Sequence, residues 1–251
     1  MKIAVFLIAL TLLLSMITID LEEIKIKLYQ KLKPSGWADV LKTFILSDDF
    51  DKILQELLRQ SQDGKRFTPM VKYLFRAFEE CPYDKTNVII LGQDPYPLPN
   101  VADGIAFSCS NDNYIQPSLK FIHKEIQDTI YPGEEYNKIT DLKAWSNQGV
   151  LLINTAFTTT VNKVGSHYKL WEPFMSFLLD VIQYDKPELI YAFLGKKAQE
   201  WSVSIPETND KYLRTHPASA AHNKQDSWHS DYLFKRINDS LEYQGKQPII
   251  W

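Results

Sequence analysis

Cysteine and histidine are both scarce in this sequence of 251 residues, which contains two cysteines and five histidines. Cys81 and Cys109 cannot supply a disulfide framework, the ligands of a zinc ribbon or the four thiolates of an iron–sulfur site. No two histidines have the spacing of a helical zinc motif such as His-Glu-x-x-His. We therefore expect reduced thiols and no bound metal.

An excess of positive charge is also lacking. The sequence has 28 lysines and arginines against 31 aspartates and glutamates, a net charge of −3. The protein as a whole therefore does not attract a phosphate backbone, and any contact with nucleic acid must come from a local polar or basic surface. A hydrophobic fraction of 45% and a charged fraction of 24% exclude a disordered chain and a multi-pass membrane protein.

Charged residues are absent from residues 3–19, the N-terminal hydrophobic segment. This segment resembles a signal peptide or membrane anchor, but it is slightly short for a spanning helix and no small-residue cleavage site follows it. A second interpretation is that translation starts at Met16, which would leave nothing hydrophobic to insert. Both interpretations stay open. We expect residues 20–251 to form a single domain with a substantial core.

Four short apolar runs have the composition of strands buried on both faces of a parallel sheet. They cover residues 87–92, 149–154, 189–194 and 212–215. Helical spacing of apolar residues is found across residues 21–58, after Pro69, and at residues 118–129, 171–182 and 230–241. Alternating strands and helices predict an α/β fold with a parallel sheet.

The loops after these four strands begin at Gln93, Asn154, Gly195 and His216. Ligands of such sheets bind at the carboxyl ends of the strands, so we expect the four loops to meet at one site. Each polar residue taken singly also fits an ordinary role, such as capping, strand-end hydrogen bonding or a turn. A generic nucleotide-binding protein is disfavoured because the sequence has no Gly-x-Gly-x-x-Gly or Walker loop.

Several motifs, in order, resemble those of family 1 uracil-DNA glycosylases. They are Gly-Gln-Asp-Pro-Tyr at 92–96, Phe-Ser at 107–108, Pro-Ser-Leu at 117–119, Ile-Asn-Thr at 153–155, Ser-His at 166–167, Leu-Gly-Lys at 194–196 and His-Pro at 216–217. The resemblance covers roughly residues 37–251. It implies a three-layer α/β/α sandwich around a central, mainly parallel four-stranded sheet. It also implies a hydrolase of N-glycosyl bonds that acts without a cofactor in base-excision repair.

The resemblance assigns the chemistry to two residues. Breaking the bond between sugar and base leaves positive charge on the sugar and negative charge on uracil. Asp94 matches the carboxylate that stabilises the sugar and orients the attacking water, and His216 matches the neutral histidine that donates a hydrogen bond to uracil O2.

The resemblance also assigns the recognition of a uracil flipped out of the helix. Asn154 offers a donor and an acceptor to the uracil edge, Phe107 stacks on the base, and the bulk of Tyr96 excludes the methyl group of thymine. Gln93 lines the same pocket. The residues expected near DNA phosphates or the minor groove are Pro117, Ser118, Ser166, His167, Gly195, Lys196, Ala218, Ser219 and Ala220.

The sequence departs from the family pattern at three positions, one after the Gly-Gln-Asp-Pro-Tyr motif and two after the His-Pro motif. Pro97 stands where the family has histidine, Ala218 lacks the usual serine hydroxyl, and Ala220 replaces the leucine that fills the gap left by the flipped nucleotide. We therefore expect a preference for single-stranded or mismatched uracil. The same departures motivate an alternative, a catalytically weak DNA-binding or replication-accessory protein on the same fold.

The expected partners follow from the same resemblance. They are uracil-containing DNA, single- or double-stranded, and a glycosylase inhibitor protein. We expect a monomer in the cytoplasm, or in the nucleus or nucleoid where the host has one, with membrane anchoring or export left open by residues 1–19.

Overall fold

A computed structural model describes residues 21–109 and 114–251, apart from the side chain of His222. The N-terminal hydrophobic segment lies outside these residues. Among the residues described, every helix is too short or too polar to cross a lipid bilayer.

The helices and strands alternate over most of the chain. The helices are α1 (Leu21–Leu32), α2 (Trp37–Ile45), α3 (Asp48–Gln62), α4 (Arg76–Glu80), α5 (Pro117–Thr129), α6 (Lys143–Ser146), α7 (Tyr168–Asp185), α8 (Lys196–Gln199), α9 (Ala218–His222) and α10 (Leu233–Tyr243). The strands are β1 (Phe67–Thr68), β2 (Val88–Gly92), β3 (Val150–Asn154), β4 (Thr159–Thr160), β5 (Ile190–Leu194) and β6 (Lys211–Arg214).

The central sheet has four parallel strands in the order β3-β2-β5-β6. All five residues of β2 and of β5 are buried, as expected for strands covered on both faces. The predicted α/β fold is confirmed, and each predicted strand matches an observed one to within a residue at either end. After β2 the chain forms β3, which pairs with one edge of β2, and later β5, which pairs with the opposite edge. A binding crevice is therefore expected between the carboxyl ends of β2 and β5.

Helices cover the sheet in two groups, each with its own aromatic cluster. In one, Phe75, Phe157 and Phe174 pack with centroid separations of 5.0–5.9 Å. In the other, Trp145 and Phe234 pack against Trp251 at 5.4 and 4.8 Å. Aromatic side chains bury large areas, so these clusters fix the helices that carry the loops of the site.

A two-stranded antiparallel ribbon, β1 with β4, lies outside the central sheet and pairs Phe67 with Thr160. The predicted helix starting at Pro69 is wrong at its beginning. A 3₁₀ turn, Val71–Tyr73, comes first and Val71 is exposed. The carbonyl of Lys72, which a continuous helix would use internally, accepts a hydrogen bond from the Lys31 side chain.

Candidate active site

A cavity of about 430 Å³ lies at the carboxyl ends of the central strands. Its lining includes the residues predicted from the loops after β2, β3 and β6. These are Gln93, Asp94, Tyr96, Phe107, Pro117, Ser118, Asn154, His216, Ala218 and Ser219. The prediction that these loops meet at one site is therefore confirmed for three of the four loops, and the fourth lies directly behind.

The fourth loop supports the cavity from behind. Gly195 has a φ of +100°, and a Cβ atom there would lie 2.7 Å from the Gln93 side chain and 3.0 Å from Cβ of His216. The amide of Lys197 donates a hydrogen bond of 3.2 Å to Oε1 of Gln93. Only glycine permits both the left-handed backbone and the close approach of these two side chains.

Asp94 receives a hydrogen bond on each of its carboxylate oxygens. The amide of Gly165 donates to Oδ2 at 2.7 Å, and the hydroxyl of Tyr168 donates to Oδ1 at 3.2 Å. Burial raises the pKa of Asp94 above its usual value, and the hydrogen bonds from Gly165, Tyr168 and the Thr159 side chain oppose that effect. Because these partners are donors, the hydrogen bonds favour the ionised carboxylate, whereas burial favours the protonated form.

His216 is oriented by its own chain. The amide of Ala218 donates a hydrogen bond of 3.2 Å to Nδ1 of His216. A nitrogen that accepts a hydrogen bond carries no proton, so the neutral ring holds its proton on Nε2. This tautomer makes His216 a hydrogen-bond donor that needs no positive charge.

Asn154 and Phe107 lie together at the floor of the cavity, beside Gly92. A Cβ atom on Gly92 would lie 2.3 Å from Oδ1 of Asn154 and 3.1 Å from the ring of Phe107. Among the described residues, none forms a hydrogen bond with the amide group of Asn154. A polar amide next to an aromatic ring, with both facing a cavity, suits a flat polar ligand.

Phe107 is held in an unfavourable backbone conformation, with a φ of +66°. The loop before it is fixed by the buried carboxylate of Asp103, which pairs with Arg76 at 2.8 Å and accepts a hydrogen bond of 2.8 Å from Ser108. The ring centroid of Phe107 lies 5.7 Å from that of His216. The strained residue thus lies in a loop that is anchored by the buried carboxylate of Asp103.

The ring of Tyr96 is fixed at the cavity wall through its hydroxyl. That hydroxyl donates to the carbonyl of Phe107 at 2.9 Å, which leaves it to accept a hydrogen bond from Ser118 at 2.8 Å. Two partners on one hydroxyl prevent the ring from moving aside for a larger ligand.

Two of the residues predicted to lie near DNA phosphates have side chains that form hydrogen bonds inside the protein. Ser118 is buried and bound to Tyr96. His167 is buried and contacts Thr158 at 2.7 Å and Oε1 of Gln60 at 3.0 Å. These two side chains therefore hold the loops of the site in place, and His167 links the Ser-His motif to α3.

Ser166 and Lys196 differ in how available they are to DNA. The hydroxyl of Ser166 accepts the amide hydrogen of Thr160 at 2.8 Å and contacts the hydroxyl of Thr159 at 3.1 Å, so its main role is to shape its own loop. Lys196 is exposed on α8, with its ammonium group available for a phosphate.

The expected position of the apolar wedge is also corrected. Ala220 is fully buried within the hydrophobic core, because α9 turns its side chain toward α5. The next residue, Ala221, is exposed and lines the cavity. Of these two neighbouring positions, 221 and not 220 is the one from which an apolar wedge could reach DNA.

Gly165 and Tyr168 are the site residues that the sequence analysis missed. They lie 71 and 74 residues after Asp94. Their proximity to the Ser-His motif at 166–167 was the available signal. Gly165 acts through its backbone amide, which no residue pattern distinguishes.

Comparison with known proteins identifies the family. The model of the uracil DNA glycosylase superfamily matches residues 78–242. A uracil-DNA glycosylase of Wolinella succinogenes is 32% identical over 238 residues, which cover 94% of this chain and 98% of that protein. A uracil-DNA glycosylase of Azobacteroides pseudotrichonymphae is 34% identical and covers 80% of this chain and 90% of its own length.

Solved structures agree with the sequence comparison. Mimivirus uracil-DNA glycosylase has a TM-score of 0.78 at 25% identity, covering 89% of this chain and 88% of that one. A variant of mimivirus UNG in complex with UGI has a TM-score of 0.78 at 26% identity and covers 88% and 90% of the two chains. With the matching superfamily model and these relatives, the chain belongs to the uracil DNA glycosylase superfamily.

Proposed function

We propose that this protein is a uracil-DNA glycosylase of the family 1 type, which hydrolyses the bond between uracil and deoxyribose in DNA and leaves an abasic site. The observation that carries the proposal is the shared cavity, in which a doubly hydrogen-bonded Asp94 and a His216 with its proton on Nε2 face one ligand space.

The two residues act on opposite charges in the transition state. As the glycosidic bond breaks, the ionised Asp94 stabilises the positive charge on the sugar and orients a water molecule toward the anomeric carbon. The electron pair of the broken bond leaves with uracil. His216 stabilises that anion by donating from Nε2 to O2 of the base. Water supplies the hydroxyl group of the sugar product and, in the end, the proton of free uracil.

Uracil is selected by shape and by hydrogen bonding. The unpartnered amide of Asn154, within the part of the chain that the structure describes, matches the acceptor O4 and the donor N3–H of uracil, which cytosine presents in reverse. The ring of Phe107 stacks on the base, and the fixed ring of Tyr96 occupies the space that the methyl group of thymine would need. Gln93 completes the wall.

The DNA backbone is held by a local surface, since the net charge is −3. Pro117, Ala218 and Ser219 line the cavity, and the exposed Lys196 follows Gly195, which packs against Gln93 and His216. Backbone amides and one ammonium group at a concave mouth are sufficient for phosphate contacts that position a strand. Gly195 and Ser166 shape these loops. A glycosylase-deficient accessory protein is disfavoured, because such a protein would have no need for Asp94, Asn154 and His216 in one cavity.

The inhibitor partner also belongs to the proposal. A mimivirus relative is named in complex with UGI, and we expect this protein to bind a glycosylase inhibitor through the same cavity mouth. We further propose that residues 20–251 act as one domain and as a monomer, and that the protein works in the compartment that holds the DNA. A single hydrophobic cluster running from Leu32 to Trp251 supports the single domain.

The test is uracil release from single-stranded and duplex oligonucleotides by the full chain, with Asp94→Asn and His216→Leu beside it. We expect each substitution to reduce kcat by at least about a hundredfold, because each removes a group that interacts with charge formed only in the transition state. Near-normal release by Asp94→Asn, or the absence of release by the unmodified protein, would refute the proposal.

A further inference from the structure

The carboxylate of Asp94 is held from the side of α7 by Tyr168, the first residue of that helix. The Tyr168 hydroxyl donates to Oδ1 at 3.2 Å, and the Gly165 amide donates to Oδ2 at 2.7 Å. Two donors on different oxygens fix the rotation of the carboxylate about its last side-chain bond. A weaker side-chain hydrogen bond from Thr159 of β4 adds to these two contacts.

We propose that Tyr168 is the positioning residue for Asp94, and that it supplies the side-chain hydrogen bond that Pro97, on Asp94's own loop, cannot give. The inference rests on the proposed role of Asp94 as the carboxylate of the reaction. Pro97 lies three residues after Asp94 and has no hydrogen-bond donor. Its carbonyl accepts a hydrogen bond of 2.8 Å from the amide of Asn162.

The surroundings of Tyr168 are built for this contact. Gly165 has a φ of +72°, and a Cβ atom there would lie 2.7 Å from the Tyr168 ring. The absence of a side chain at Gly165 therefore lets the Tyr168 ring pack against the loop while the Gly165 amide contacts Asp94. On its other side, the ring faces Nζ of Lys197 at 5.8 Å from its centroid.

The hydroxyl of Tyr168 stays protonated wherever the enzyme is active. Burial raises the pKa of Tyr168 well above its usual value, and the negative charge of Asp94 raises it further. The same hydrogen bond lowers the pKa of Asp94. Tyr168 therefore acts on the reaction only by orienting Asp94 and by favouring its ionised form.

Other titratable groups face this pair from each neighbouring element. His216 lies across the cavity on the β6 side. Lys197 and Glu200, which pair at 2.8 Å, lie behind the Tyr168 ring, and Glu172 of α7 borders the same cleft. None of these groups contacts the Tyr168 hydroxyl, so removal of that hydroxyl changes one contact of Asp94 and leaves the others in place.

The experiment compares the unmodified full chain, Tyr168→Phe and Tyr184→Phe for uracil release from single-stranded DNA across pH. Tyr184 lies on the same helix, is highly exposed and is a matched control. We expect Tyr168→Phe to lower kcat about tenfold with KM nearly unchanged, because a hydrogen bond to a charged group is lost. The acid limb of the rate profile should move up by about one pH unit as the pKa of Asp94 rises.

A second readout, the pKa of the Asp94 carboxyl group measured by NMR, does not depend on catalysis and should rise in Tyr168→Phe alone. If a folded Tyr168→Phe protein keeps both the acid limb and the Asp94 pKa of the unmodified protein, the inference is overturned. The proposed function still stands in that case, provided that Asp94→Asn is inactive. Full activity of Asp94→Asn would overturn both.

Discussion

The carboxyl group of Glu125 on α5 is buried and only partly satisfied. Its Oε1 accepts a hydrogen bond of 2.6 Å from Ser230, while Oε2 has no partner within the residues that the structure describes. Burial raises the pKa of Glu125 to about 7, and the hydrogen bonds from Ser230 and Thr129 offset only part of that effect. Glu125 therefore changes charge close to neutral pH.

Glu125 should make the stability of the protein fall as pH rises. The folded protein binds the Glu125 proton more tightly than the unfolded chain, so its contribution is complete below the unfolded pKa near 4.5 and is lost as pH rises through about 7. We expect the free energy of unfolding to fall by up to about 3 kcal/mol between pH 4.5 and 8 relative to Glu125→Gln.

Urea denaturation of both proteins at matched pH values measures this difference directly. The Gln variant keeps the size of the side chain but cannot ionise, so shared contributions from other groups cancel. Parallel stability curves for the two proteins would show that Glu125 does not titrate in this range.

At the scale of the element, the end of β2 determines the shape of the cavity. Gly92↔Asn154 is the last paired position of β2 and β3. Gly92→Ala should place a methyl group 2.3 Å from Oδ1 of Asn154 and displace both Asn154 and the Phe107 ring. We expect kcat/KM on uracil DNA to fall at least about a hundredfold, because displacement of a positioning group by about 1 Å costs that much.

Gly64→Ala is the matched control, because nothing lies within 4 Å of a Cβ atom at Gly64. It should cost about 1 kcal/mol of stability through its left-handed backbone and leave kcat/KM unchanged. Wild-type activity of a folded Gly92→Ala protein would show that Asn154 and Phe107 do not need their observed positions.

The elements that were predicted correctly are those in which apolar residues recur at a regular helical spacing or form a continuous run. The strands β2, β3 and β5 bury every apolar residue, and hydrophobicity alone indicates them. The segment after Pro69 was mispredicted because Val71, which shares the apolar spacing, lies exposed in a 3₁₀ turn whose Lys72 carbonyl is bonded to the Lys31 side chain, 41 positions away. A contact between residues so far apart in the sequence cannot be predicted from the spacing of apolar residues within one segment.

The same distinction applies within the site. Asp94 and His216 follow strands, Asn154 ends one, and all three belong to recognisable motifs, so their proximity could be predicted from the sequence. The burial of His167 and Ala220 depends on packing against α3 and the core. Sequence similarity identifies such a position but does not say which way its side chain points.

At the scale of the whole molecule, the small side chains at the cavity mouth bear on how the protein handles duplex DNA. No apolar side chain larger than alanine is present at positions 218–221, so little is available to fill the gap left by a flipped nucleotide. We expect uracil to be released faster from single strands and mismatches than from U·A duplexes. Equal rates on matched single-stranded and duplex oligonucleotides would refute this expectation.

Ala221→Leu tests where a wedge would act. Because Ala221 is exposed at the cavity while Ala220 is buried, leucine at 221 should raise release from duplex DNA about tenfold and leave the single-strand rate nearly unchanged.

Ala220→Leu is the paired control. Leucine at this core position should overpack it and lower the free energy of unfolding by about 1–3 kcal/mol without any gain on duplex DNA. A gain on duplex DNA from leucine at 220, and none at 221, would assign the wedge to the opposite residue.

The ribbon between β1 and β4 has a consequence for how the protein could be divided. Every residue that lines the cavity lies at position 93 or beyond. The loop bonded to Asp94 is nevertheless attached to earlier parts of the chain by three contacts. These are the Phe67–Thr160 strand pair, the hydrogen bond from the Val161 amide to the Arg66 carbonyl, and the contact of His167 with Gln60. A fragment that begins after β1 would keep every side chain that lines the cavity and lose contacts that support the loop bonded to Asp94. The segment before residue 69 and the loop that holds Asp94 therefore form one structural unit, and removal of the first should weaken the second.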